Sequence, residues 1–194
     1  MVGSGTIKTL AALVGAMAIG TAVLIAMETA PARPVVSIPR LTQDQDTGID
    51  FALISNTRVP LMYPKWRNIV IHDVGRDGAN ATKGCHFVIG RLDNPNDGSI
   101  RPTSLWADQQ DGDHIYMPGF SYNENSVGIC LMSDSSRAAP SGSQMKALVR
   151  LVRTLQDSCQ IPRDHVYLHA DLGEDGCPGH FFPKDDFREE LPAR

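Results

Sequence analysis

The apolar and polar positions divide the chain into a long apolar run, a proline-rich polar stretch, and a second half where short apolar runs alternate with amphipathic segments. Asn68 to His72 and Cys85 to Ile89 are near-continuous apolar runs rich in β-branched residues, the pattern of strands covered on both faces. Between them Gly75 to Asn80 reads as a loop, and Asp93 to Ser99 brings Asn, Pro, Asp and Gly together in turn chemistry. Ser126 to Met132 predicts a third strand, with Val127, Ile129 and Leu131 on one face.

After Pro140, the segment Ser141-Gly142-Ser143-Gln144 has the spacing of a capping box and predicts the start of a helix. Its apolar stripe is Met145, Leu148, Val149, Val152, Leu155 and Cys159, at helical recurrence, and Pro162 ends it. Val166 to Leu168 then predicts a short strand that delivers His169 to its end, and Lys184 to Leu191 a last helix. Strands interrupted by amphipathic helices mean a mixed α/β domain.

Ile7 to Met27 is an apolar run broken only by Lys8, Thr9 and Thr21, and about 20 apolar residues match the bilayer core. It reads as a transmembrane anchor or a signal peptide, and its length favours the anchor. Lys8 before the run suits an amino terminus left inside and a chain exported beyond it. Ala30 to Arg40 carries three prolines, and Leu41 to Asp50 is rich in Gln, Asp and Thr. The expected organisation is a cap over 1–6, the anchor or signal peptide over 7–27, a linker over 28–60 and a folded domain over 61–194.

With 194 residues, 42% of them apolar, the chain has material for one domain with a substantial core. A formal charge of -4, with Lys and Arg scattered, gives no basic field and argues against a nucleic-acid partner. No internal repeat is visible, and a monomer is expected.

The chemistry gathers at three residues. His72 closes the first apolar run, and His169 stands eight positions before Cys177 across a Gly-rich loop ending in Cys177-Pro178-Gly179. A lone histidine at a strand end is more often structural. A second histidine and a cysteine in a short loop supply the soft-to-borderline donors that favour zinc over manganese or magnesium. Three protein ligands leave the fourth tetrahedral position to solvent, as in catalytic zinc. With Cys177 committed to the metal, Cys85, Cys130 and Cys159 read as three free, buried thiols.

From Trp66 onward the chain resembles the zinc-dependent N-acetylmuramoyl-L-alanine amidases, a family that includes phage lysozyme-type amidases and peptidoglycan recognition proteins. The resemblance rests on Ile69-Val70-Ile71-His72, Cys85-His86-Phe87-Val88-Ile89-Gly90, Asp113-His114, Asn125-Ser126-Val127-Gly128-Ile129, His169-Ala170-Asp171 through Cys177-Pro178-Gly179, and Phe182-Pro183, in that order. It implies a central mixed twisted sheet flanked by helices, and a zinc ion held by His72, His169 and Cys177. It also implies hydrolysis of the amide between N-acetylmuramic acid and L-alanine in peptidoglycan, in the cell envelope. The alternative within the same fold is a peptidoglycan-binding module with little or no turnover.

Two positions depart from the pattern that the resemblance implies. Cys85 stands where many family enzymes have Tyr, and Asp175 where active members have Lys or Thr two residues before the last ligand. A thiol donates hydrogen bonds weakly. Asp175 reads either as the carboxylate that accepts a proton from the attacking water or as a solvated loop acid. His114, Asn125 and Trp106 are candidates for substrate binding, against the readings of an exposed loop histidine, a turn into the strand and packing. Asp171 is either an acceptor for an imidazole N–H behind the ligands or a cap of the loop. His86, His165 and His180 read as structural or surface residues.

Overall fold

The computed structural model describes residues 51–75, 78, 82–90, 94, 98–113, 115 and 117–192. The run expected as an anchor or signal peptide, His114 and parts of the two predicted loops lie outside the described residues. Among the described residues no helix is long and apolar enough to cross a membrane.

Five strands form one sheet in the order β3-β2-β4-β1-β5. They are β1 (Asn68–Asp73), β2 (Phe87–Ile89), β3 (Ile100–Pro102), β4 (Ser126–Leu131) and β5 (Val166–Leu168). β1 runs parallel to both β4 and β5, β2 runs parallel to β4, and β3 closes one edge antiparallel to β2. The expected mixed sheet is present. β3 was not anticipated: its three residues, Ile-Arg-Pro, are mostly exposed. Pro102, which cannot donate to a ladder, is tolerated on such an edge.

The helices are α1 (Ser104–Ala107), α2 (Tyr122–Asn125), α3 (Gly142–Cys159) and α4 (Lys184–Glu189). α3 starts where the capping box predicts: Gln144 N–H donates to Ser141 Oγ at 3.1 Å and Ser141 N–H to Gln144 Oε1 at 3.0 Å. The last helix stops at Glu189, short of the expected Leu191.

The buried stripe of α3 differs from the expectation. Ala147 and Leu151 lie fully inside with Leu148, Val152 and Leu155, while Met145 and Val149 sit at the margin. Gln144 sets this rotation, because it is buried and its amide donates to Met132 O at 3.2 Å. The stripe packs in one cluster with Ile69, Ile71, Val127, Ile129 and Leu131 from the sheet. Truncating such a side chain to alanine costs about 2–5 kcal/mol.

Of the span 28–60, expected as a linker, residues 28–50 lie outside the described residues. Residues 51–55 are helical, and Ile54 is fully buried in the main cluster with Trp66 and Trp106. The Trp106 indole N–H donates to Ile54 O at 3.0 Å. Ile54 closes the short apolar run Phe51-Ala52-Leu53-Ile54, but a run of four residues does not say which distant tryptophan it meets.

The cysteines are not the three free, buried thiols expected beside Cys177. Cys85 and Cys130, 45 positions apart in the chain, form a disulfide with Cα atoms 6.0 Å apart, while Cys159 and Cys177 carry free thiols. The physical reason is the parallel pairing of β2 with β4. It sets Val88 opposite Cys130 and gathers Cys85, Val88 and Cys130 with Val74 and Met132 in one small buried cluster.

Candidate metal centre

The site follows from strand register. Ile71 pairs with Leu168 across β1 and β5, so the next residues, His72 and His169, emerge side by side at the carboxyl ends of two parallel strands. Ligand sites in open α/β sheets collect at this edge. The rings meet edge to face with centroids 4.2 Å apart. His72 is buried and His169 half-buried.

Cys177 reaches the same point by way of a tight loop. His169–Leu172 forms a 3-10 turn, and Gly173 and Gly176 take φ of 98° and 100°, a conformation that favours glycine. Cys177 N–H donates to Glu174 O at 3.3 Å, and Ala170 N–H donates to Cys177 O at 2.6 Å. These bonds fold the loop back, so a donor atom from each of His72, His169 and Cys177 lies within 4.8 Å of the others.

The donor set suits a zinc ion. His169 Nε2 is buried and has no hydrogen-bond partner among the described residues, which is costly for a polar atom that serves no ligand. Burial pushes the His169 imidazole below its ordinary value, against an opposing pull from Glu174, and so favours the neutral form that binds metals. Burial pushes the Cys177 thiol up to about 11, with the Asp73 carbonyl opposing. The thiol therefore ionises when a cation takes its proton's place.

The cluster opens into a cleft of about 510 Å³. Five carboxylates line it: Asp73, Asp113, Asp134, Glu174 and Asp175. Asp175, the candidate proton acceptor, is thus in the cleft and exposed. A larger cavity of about 620 Å³, lined by Arg163, Tyr167, Asp171 and Arg188 among others, holds no such donor cluster.

The remaining candidates fall elsewhere. Trp106 does not line the cleft: it is fully buried, 4.7 Å from the ring of Phe87 and 5.7 Å from that of Trp66. Asn125 sits at the opposite end of β4 from the donors. Its Oδ1 accepts from Asn68 Nδ2 at 2.8 Å and its carbonyl from Arg67 N–H at 2.8 Å, so it holds the turn into the strand. Asp171 is a cap: its Oδ2 accepts Leu168 N–H at 2.8 Å, and the carboxylate pairs with Arg188 at 2.9 Å. His86 is structural, accepting Gly128 N–H on Nδ1 at 2.9 Å and facing Gln110 O from Nε2 at 3.0 Å. Sequence reasoning passed over Asp73 and Glu174, whose only signal was adjacency to a donor or its loop.

A family model described as N-acetylmuramoyl-L-alanine amidase matches residues 62–180, more than half of the chain. No curated protein matches. Among solved structures, the N-acetylmuramoyl-L-alanine amidase LysC from Clostridium intestinale URNW is 24% identical with a TM-score of 0.51, over 70% of this chain and 92% of its own. The endolysin amidase LysCS from the same organism is 23% identical with a TM-score of 0.51, over 70% and 90%. At these identities the two structures show a shared fold.

Proposed function

Because the chain belongs to the N-acetylmuramoyl-L-alanine amidase family, we propose that it hydrolyses the amide between N-acetylmuramic acid and L-alanine in peptidoglycan, with a zinc ion held by His72, His169 and Cys177. The observation that supports this reading is the three-donor cluster at the mouth of a cleft. Zinc with three protein ligands supplies Lewis acidity and leaves one position for solvent.

The chain's own residues do the rest. The two imidazoles are oriented by parallel pairing and the thiolate by the closed loop, so the donors are placed before any ligand arrives. Asp175, at the rim, accepts the proton of the attacking water. A C–O bond forms at the lactyl carbonyl, the C–N bond breaks, and the leaving L-alanine amine takes up the proton. A closed structural site is disfavoured, since Cys85 is in a disulfide and no carboxylate joins the donor cluster among the described residues.

One observation favours a second reading, a binding module with little turnover. At the position where the resemblance expects Tyr, Cys85 is a disulfide sulfur and has no proton to donate. The deciding assay offers zinc-loaded protein a muramyl-L-alanyl peptide and measures free L-alanine amine. Release that disappears in Cys177→Ala supports the hydrolase; binding without release, equal in wild type and Cys177→Ala, supports the module.

We further propose export to the cell envelope, as a monomer, with the span 7–27 as anchor or signal. The Cys85–Cys130 disulfide supports this location, since such bonds persist in oxidising compartments.

A further inference from the structure

We propose that Asp73 is a positioning residue for the metal centre, fastening the segment that bears Cys177 to the end of β1. The inference rests on the zinc reading above and names what holds one of its ligands in place.

Asp73 is the last residue of β1 and directly follows His72. Its Oδ2 accepts Ser135 N–H at 2.6 Å, a short bond of the charge-assisted kind. Ser135 is fully buried, and its carbonyl accepts Phe181 N–H at 2.9 Å. Between these two bonds Gly179 lies against the same residue, so closely that a Cβ on it would stand 2.2 Å from Ser135 C. The backbone over residues 179–181 therefore rests on Ser135, and Ser135 hangs on the Asp73 carboxylate.

Cys177 stands two residues before Gly179, and its Sγ lies 3.8 Å from Asp73 O. Its segment is gripped from two sides. On the His169 side the grip is main chain to main chain, through Ala170 N–H and Cys177 O. On the β1 side the grip is indirect: bonds from Val74 N–H to Leu131 O and from Gly75 N–H to Ser133 O, both at 3.0 Å, join the end of β1 to the segment after β4 that carries Ser135. Beyond Ser133 the Asp73 side chain takes over. Asp73 is not itself in the donor cluster, so its effect on a bound cation passes through Cys177.

A tether and a bare negative charge predict different outcomes on substitution. Asparagine keeps an oxygen to accept Ser135 N–H and loses the charge, whereas alanine loses both. The test uses the full chain, Zn2+ affinity by chelator competition, and the absorption spectrum of the Co2+-loaded protein, whose thiolate charge-transfer and d–d bands report the ligand geometry. Asp73→Ala is expected to weaken Zn2+ binding about tenfold or more, the scale of lost support behind a ligand, and to shift the Co2+ bands. Asp73→Asn is expected to restore both.

Wild-type affinity and spectrum in Asp73→Ala, or an Asp73→Asn variant as weak as Asp73→Ala, overturns the proposal. Wild-type chain that takes up neither metal overturns the zinc reading as well, which separates the two failures. Should Asp73→Ala not fold, Gly179→Ala gives the answer, because its methyl pushes the same segment off Ser135 with the carboxylate in place. That variant must reproduce the weakened affinity and the shifted bands, and unchanged values in it overturn the tether.

Discussion

His72 and His169 stand edge to face with ring centroids 4.2 Å apart, although 97 positions separate them in the chain. Their proximity is a consequence of Ile71 pairing with Leu168 in parallel strands. Two imidazoles so close, with the Cys177 thiol in reach, are the donor set that the proposed zinc would join.

The first prediction is stoichiometric. Purified protein holds one zinc per chain, and His72→Ala and His169→Ala each lower that content, as measured by elemental analysis after gel filtration. A zinc-free wild type refutes the site.

The second concerns protons. Near pH 8 the Cys177 thiol, pushed up to about 11 by burial, is protonated, while His169, pushed down by burial, is already neutral. Zinc uptake therefore releases about one proton from Cys177, and affinity rises about tenfold per pH unit below that thiol's value. Calorimetry in buffers of different ionisation enthalpy counts the proton. Cys177→Ala removes this release together with most of the affinity.

A third prediction tests the cysteine pairing. Denatured, unreduced protein has two titratable thiols, those of Cys159 and Cys177, because Cys85 and Cys130 are joined. Reduction before denaturation raises the count to four. Closing a 45-residue separation stabilises the fold by about 2–4 kcal/mol, so urea midpoints fall in dithiothreitol. Equal midpoints with and without reductant count against the bond.

The fourth is alkaline destabilisation. Burial raises the Cys159 thiol from 9.0 to about 12, so the folded state keeps a proton that the unfolded state loses. Stability from this group is whole below pH 9 and declines as pH rises toward 12; at pH 10 the loss is about 1.4 kcal/mol. Urea titrations at pH 8 and pH 10 measure it. In Cys159→Val, similar in size and without a proton, that part of the slope disappears.

Much of the sheet was legible because β1 and β4 are covered on both faces, and such strands must be apolar throughout. α3 was legible because its cap is a local hydrogen-bond exchange four residues long. The donors were visible as residue types with a spacing. Non-local facts were not: Cys130 beside Cys85, Ile54 beneath Trp106, and Ser135 on Asp73 depend on which strands adjoin. For Trp106 the chain left cleft and packing both open, and a contact of the same non-local kind decides it: its indole N–H finds a carbonyl 52 residues away and the ring goes inside.

The alternation along β1 makes the site hard to mis-assemble. Ile69 and Ile71 face the main cluster while Val70 and His72 face the other way. Slipping the strand by one place would drive an imidazole into hydrocarbon and leave isoleucine at the mouth, an exchange that costs several side chains at once. Accuracy at the donors is thus inherited from greasy contacts on the far side of the sheet. Errors in reading frame between strands are rejected there, well before chemistry begins.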